Sequence, residues 1–227
     1  MYWKKNPLNY EICIPPLSKP FHLLTHREAE AYFQWHLSHL DERIDYLATT
    51  VSNFLGIPKL KIDYSPNSLV LVWAWFLSVA KTERTPEEHL IKLEKQFAID
   101  SEPFKTYLLD QSKEQFSLET EFILRDIGMY LGEVFTKNEP VIYWTYYDKP
   151  KSDFFVNMPV LFGFEDPNFV PPFKMEFEPT HMARVQAANI WDNTQRKEDL
   201  FNIYCKWASN YIPNGTGNGS KLLKNSG

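Results

Sequence analysis

At 227 residues the chain is long enough for one large domain or two small ones, and with 44% hydrophobic and 16% aromatic residues it can bury a sizeable, ring-rich core. Its formal charge of −5, with no internal cluster of Lys and Arg, excludes a phosphate-neutralising surface and mildly favours basic partners over nucleic acid. Only Cys13 and Cys205 could pair or ligate; far apart and outside any CxxC, they indicate neither a disulfide framework nor a structural zinc, which fits a reducing cytoplasm.

The N-terminal stretch MYWKKNPLNYEICIPP lacks an apolar run long enough for a signal peptide. Prolines at 7, 15, 16 and 20 predict an extended arm over residues 1–24, with a short strand at Glu11 to Ile14. THRE then offers Thr25 as N-cap and Glu28 three residues on, a capping box opening a helix that Gly56 and Pro58 end. Ala29, Phe33, His36, Leu37, Leu40, Ile44, Leu47, Val51 and Phe54 recur at helical spacing and make one apolar face. Tyr32, Trp35, His39, Tyr46 and Asn53 form a second stripe beside it, so this helix is expected to be central.

Ser65-Pro66 opens a helix that is apolar all round through LVLVWAWFLSVA. Its twelve residues fall short of the roughly 20 that cross a bilayer, so a buried helix is expected rather than a membrane span. Thr85-Pro86-Glu87-Glu88 starts an amphipathic helix with Leu90, Leu93 and Phe97 inward, and a shorter helical piece follows near Pro103 to Leu109. Ser117 caps the next helix, which carries Gly128 and Gly132 on one side. Each glycine costs about 1 kcal/mol of helix propensity, which predicts that a neighbouring backbone, from the next strands or the helix at 66–80, comes close there.

Beyond Pro140 the period changes to two in VIYWTYY, then, after the loop DKPKSD, in FFVNMPVLFGF and FKMEFE. This predicts about three antiparallel strands within 140–178, with Pro159 on an edge strand or at a bulge. From Thr180 the chain reads as one or two helices, and residues 213–227 as a flexible Gly/Asn/Ser-rich tail. The expected fold is therefore one α+β domain, mostly helical with a small sheet, over residues 1–212.

His36 and His39, with His22 and His26 upstream, could offer imidazoles to a metal, but Asp41 and Glu42 point away and no full ligand set is evident. A buried core His36 is the favoured account, and no metal or cofactor is expected. Glu119, Glu121, Asp126 and Glu133 could supply paired carboxylates; Asp126 and Glu133 share a face that could flank a cleft, although surface solvation is the simpler expectation. Glu121 and Arg125 stand at ion-pair spacing. No GxSxG turn, GxGxxG or Walker loop occurs, and Cys205 among apolar neighbours reads as an inert thiol.

Rings with polar tips suit recognition, so Tyr32, Trp35, His39, Tyr46, Trp144 and Tyr146 are the candidate binding residues, with plain core packing as the competing account. FILRDIGMYLGEVF followed by IYWTYY and NMPVLFGF resembles bacterial hypothetical proteins in which a glycine-containing helix precedes a tryptophan-bearing hairpin, over about residues 118–165. Such proteins are often encoded near toxin systems and thought to act in immunity. The resemblance adds to a non-catalytic, immunity- or inhibitor-like binding role, and the lack of catalytic motifs together with the acidic balance points to a basic protein partner; the alternative is a small-molecule or metal-dependent hydrolase between the long helix and the sheet, using His36 or His39 with carboxylates from the 118–136 helix.

Overall fold

A computed structural model describes residues 10–97, 112–148 and 152–212, together with 102, 105, 106 and 109. The terminal lysine runs, most of the DKPKSD loop's centre and the tail at 213–227 lie outside the described residues, as does much of the piece near 103–109, which is helical at its described positions. The fold is α+β and mostly helical, with antiparallel sheets of two and three strands. Among the described residues no helix is long and apolar enough to cross a membrane. The chain divides into two compact units, Met1–Ile12 with Val79–Ile123, and Cys13–Ser78 with Leu124–Gly227.

In the first unit, β1 (Thr82–Arg84) pairs antiparallel with β2 (Glu114–Phe116), Thr82 opposite Phe116. Neither strand was expected, because three residues, Thr-Glu-Arg in one and Glu-Gln-Phe in the other, are too few to show an alternation. Flanking bonds extend the ladder: Thr85 N donates to Lys113 O at 2.9 Å and Ser117 N to Lys81 O at 2.9 Å. Helix α3 (Glu87–Gln96) begins after Pro86, and Leu90, Leu93 and Phe97 are its most protected residues, though only half-buried.

The second unit is built on α1 (His26–Leu55). The Thr25 side chain accepts from Glu28 N while Glu28 accepts from Thr25 N at 2.7 Å, completing the capping box, and Gly56 closes the helix in the left-handed region at φ 65°. The predicted apolar face is buried from Ala29 to Val51, apart from half-buried Leu37, whereas Phe54 is exposed. Residues 11–14 form no strand; the chain there runs irregularly toward Pro15 and Pro16, which have no N–H to donate.

Helix α2 (Ser68–Val79) starts two residues later than Pro66 suggested, after a turn in which Ser68 N bonds Ser65 O at 3.0 Å. Leu69, Val72, Trp73 and Phe76 are fully buried, while Ser78 reaches solvent, so enclosure is not complete. Helix α4 (Leu118–Asn138) begins in the first unit and continues in the second from Leu124. Ile127, Met129, Tyr130, Leu131, Val134 and Phe135 are inaccessible to solvent, each contributing about 1.5–3 kcal/mol by burial.

The three-stranded sheet has the order β3 (Tyr143–Tyr146), β4 (Pro159–Asp166), β5 (Phe173–Phe177). Pro159 is the first residue of the central strand, opposite Tyr146, not on an edge; a first position tolerates the missing donor, and the irregularity lies instead between Leu161 and Phe164. There Gly163 holds φ 112°, and a side chain would also strike the Val141 carbonyl, so the position suits only glycine on both counts. Two helices follow, α5 (Pro179–Ala187) and α6 (Asp199–Asn210), which settles the question left open by their spacing.

Both helical glycines face close neighbours. A side chain at Gly132 would collide with the indole of Trp144 on β3, so one of the expected strands does come close there, but through a side chain and not its backbone. Gly128 instead meets the start of α5: a Cβ at that position would lie 2.6 Å from Thr180 Cα and 2.7 Å from Thr180 N. Since backbone cannot yield as a side chain can, Gly128→Ala is expected to lower unfolding free energy by about 1–3 kcal/mol in urea titrations. An unchanged midpoint would refute the close approach. Gly56→Ala, which meets nothing but must hold positive φ, is expected to cost about 1 kcal/mol.

Candidate functional site

Asp126 on α4 is wholly buried, contrary to the expectation of a solvated carboxylate. Its Oδ2 accepts from Arg43 of α1 through Nη2 at 2.7 Å and Nε at 3.1 Å. Its Oδ1 accepts from Arg125 Nη2 at 3.1 Å and Nε at 3.3 Å. Arg125 Nη1 also donates to Cys13 O at 2.7 Å, tying the N-terminal segment to α4. Each guanidinium converges Nε and Nη2 on a single oxygen, so both oxygens of the carboxylate are occupied by charge-assisted bonds.

These arginines support the predicted aromatic stripe. Arg125 lies over the Trp35 ring at 5.5 Å and Arg43 over Tyr46 at 4.8 Å. Trp35 stacks on His39 at 4.6 Å and tilts against Tyr32 at 5.5 Å; His39 Nδ1 is 2.8 Å from Trp35 O. Tyr32 is buried, and burial pushes its hydroxyl up to about 12, so it belongs to the core rather than to a contact surface. Trp35, His39 and Tyr46 remain half-exposed.

The other two candidates sit elsewhere. Trp144 fills the space that Gly132 leaves, meets His36 edge-on at 4.8 Å, and donates from Nε1 to Glu133 at 2.9 Å. Glu133 also pairs with Lys137 at 3.3 Å, so Asp126 and Glu133 are engaged separately and do not flank a cleft. His36 is buried as expected, yet its Nε2 has no hydrogen-bond partner among the described residues; burial, then the Arg125 charge, hold its pKa down to about 3. Its imidazole is therefore neutral.

Tyr146 packs on Phe33 at 5.5 Å, and its hydroxyl lies 2.9 Å from His26 Nδ1. Phe33 and Trp35 are two residues apart on α1 and so face different sides of it. The six candidates thus do not make one patch. Beside the Tyr146–His26 pair is a cleft of about 580 Å³ lined by His22, Leu23, Leu24, Thr25, His26, Asp148, Val156 and Asn157.

Asn157 shapes this cleft. It holds φ 65°, a conformation asparagine tolerates better than most residues, and its Nδ2 donates to Phe21 O at 2.8 Å and Leu24 O at 3.1 Å. The hairpin is thereby fastened to the short turn Phe21–Leu23 that carries His22. Sequence reasoning missed Asp148 and Asn157, because only the fold brings them to His22 and His26. The one local signal was an asparagine between two apolar runs.

Carboxylates lie near the two hairpin tyrosines beside the cleft. Tyr146 and Tyr147 both have raised pKa values, first through burial and then through carboxylates: Glu30 and Asp148 near Tyr146; Glu176, Asp153 and Asp148 near Tyr147. Asp148, His22 and His26 line the cleft, with the Tyr146 hydroxyl beside it. Among the described residues no three His, Cys, Asp or Glu converge to hold a metal ion. Cys205 is buried, and burial pushes its thiol up to about 11, away from the nucleophilic thiolate.

One further buried carboxylate, Glu178, caps α5 by accepting from Thr180 N at 3.2 Å and from His181 N. Burial outweighs these bonds and raises its pKa to about 7. No family model, curated protein or solved structure matches this chain.

Asp126→Asn removes the charge that two guanidiniums share, and is expected to cost about 3–5 kcal/mol in urea unfolding. An effect below about 1 kcal/mol would show that the network is not needed. Two opposite pH dependences are also expected. His36 has a folded pKa of about 3 against 6.5, so the unfolded chain takes the proton first and stability falls as pH drops from 6.5 toward 3. Glu178 has a folded pKa of about 7 against 4.5, so its contribution is complete below pH 4.5 and lost as pH rises through 7. Urea titrations across this range should show a flatter acid limb for His36→Leu and a flatter decline above pH 4.5 for Glu178→Gln; slopes equal to the parent chain's would contradict both assignments.

Proposed function

We propose that this protein acts without catalysis, by binding another protein, and that the cleft beside Tyr146 receives a lysine or arginine of that partner. The observation that carries the reading is the composition of the cleft: Asp148 with His22, His26 and the Tyr146 hydroxyl, in a neighbourhood where Glu30 and Asp153 add negative charge. A cation entering there exchanges water for a carboxylate and oriented hydrogen-bond acceptors, while Leu23, Leu24 and Val156 cover its methylene stem. The net charge of −5 adds long-range attraction for a basic partner.

The half-exposed Trp35, His39 and Tyr46, held over Arg125 and Arg43, provide a second recognition surface. Two free cysteines suit a reducing compartment, and we place the protein in the cytoplasm, with an immunity- or inhibitor-like role toward a basic protein. Hydrolysis is the less favoured reading: His36 is buried against Trp144, and Asp126 and Glu133 are committed to other groups.

The test is titration of the full chain, followed by NMR amide shifts, with short peptides that differ only in carrying Arg, Lys or Glu at one position. Shifts confined to residues 22–26 and 146–157 with Arg or Lys, and absent with Glu, are expected. Asp148→Asn should weaken that binding by roughly two- to fivefold, the range for a solvent-accessible ion pair. Equal response to the Glu peptide, or shifts that map elsewhere, would sink the assignment.

A further inference from the structure

The sheet order β3-β4-β5 leaves one side of β3 and one side of β5 without a strand among the described residues. β3 lies against α1, through the contacts of Trp144 with His36 and Tyr146 with Phe33. Among the described residues β5 pairs only with β4, and its residues Phe173 and Lys174 are exposed. A strand edge of this kind presents a row of backbone donors and acceptors ready to pair with another chain.

The sequence of β5, Phe173-Lys174-Met175-Glu176-Phe177, is complementary to itself. In antiparallel pairing centred on Met175, Lys174 of each strand stands opposite Glu176 of the other, giving two cross-strand charge pairs related by a two-fold axis. Neither side chain is in an ion pair among the described residues, even though Lys174 is opposite Glu165 across β4. A slip of two residues in either direction would set Lys174 against Lys174 or Glu176 against Glu176, so the charges also select the register. Pro172 before the strand and Pro179 after it lack N–H groups and confine the ladder to these residues.

Apolar surface beside this edge points the same way. At the β4–β5 turn, Phe169, Val170 and Phe173 are 55%, 99% and 58% exposed, with the two rings 5.9 Å apart. In the centred register the exposed Phe173 lies opposite Phe177 of the second copy, which is buried in its own core, so Phe173 comes beside the partner strand's backbone instead of into water.

We propose that β5 is a self-association edge: two copies of this chain pair antiparallel through Phe173–Phe177, with Lys174 of one facing Glu176 of the other. The pairing is independent of what the Tyr146 cleft binds. Sedimentation velocity on the full chain, over concentrations rising to millimolar, is expected to show a monomer–dimer equilibrium. Lys174→Glu and Glu176→Lys should each weaken the dimer roughly tenfold, since each turns two attractive pairs into repulsive ones. The double variant Lys174→Glu with Glu176→Lys restores opposite charges and should recover the parent affinity, which loss of folding could not do. A monomer at every concentration, a dimer indifferent to the single variants, or a double variant no stronger than the singles would overturn the proposal.

Discussion

Asp126 is the group on which the second unit depends. A carboxylate without solvent contact must be compensated, and here both its oxygens receive guanidinium forks, from Arg43 on α1 and from Arg125 on its own helix. The pairing therefore sets the rotation of α1 against α4. It also places the arginine faces under Trp35 and Tyr46, and Arg125 reaches Cys13 O, which fixes the path of the chain into α1.

Once α1 is set, the opposite side of α4 is governed by size instead of charge. Gly132 leaves room for Trp144, and Trp144 then meets both His36 and Glu133. Gly128 admits the backbone of Thr180, at the end of α5 that Glu178 caps from a buried position. The two residues that weaken α4 as an isolated helix are thus those that let a strand and a helix terminus approach it, a case of tertiary packing overriding propensity.

The functional reading follows from the same division. Because α1 is buried on several sides, its aromatic residues have distinct fates: Tyr32 enters the core, Trp35, His39 and Tyr46 stay half-exposed over the arginines, and Phe33 supports Tyr146 on a different side. The cleft arises where Asn157 ties the hairpin to the turn before α1, which gathers His22, His26 and Asp148 from distant parts of the chain. The β5 strand, which among the described residues pairs only with β4, contributes no residue to this cleft.

Local rules were enough for the longer elements. Thr25 and Glu28 announced the start of α1, Gly56 its end, and period-two alternation the β3–β5 strands, because caps, left-handed turns and strand pleats are decided by near neighbours. The short strands β1 and β2 escaped, since three-residue ladders exist only through their partner. Burial of Asp126, the separation of Trp144 and Tyr146 from the Trp35 stripe, the meeting of Gly128 with Thr180 and the assembly of the cleft were decided by tertiary structure alone. Each depends on which residues distant in sequence come within a few ångströms, and a carboxylate or an indole carries the same local pattern whether its counterpart is solvent or another side chain.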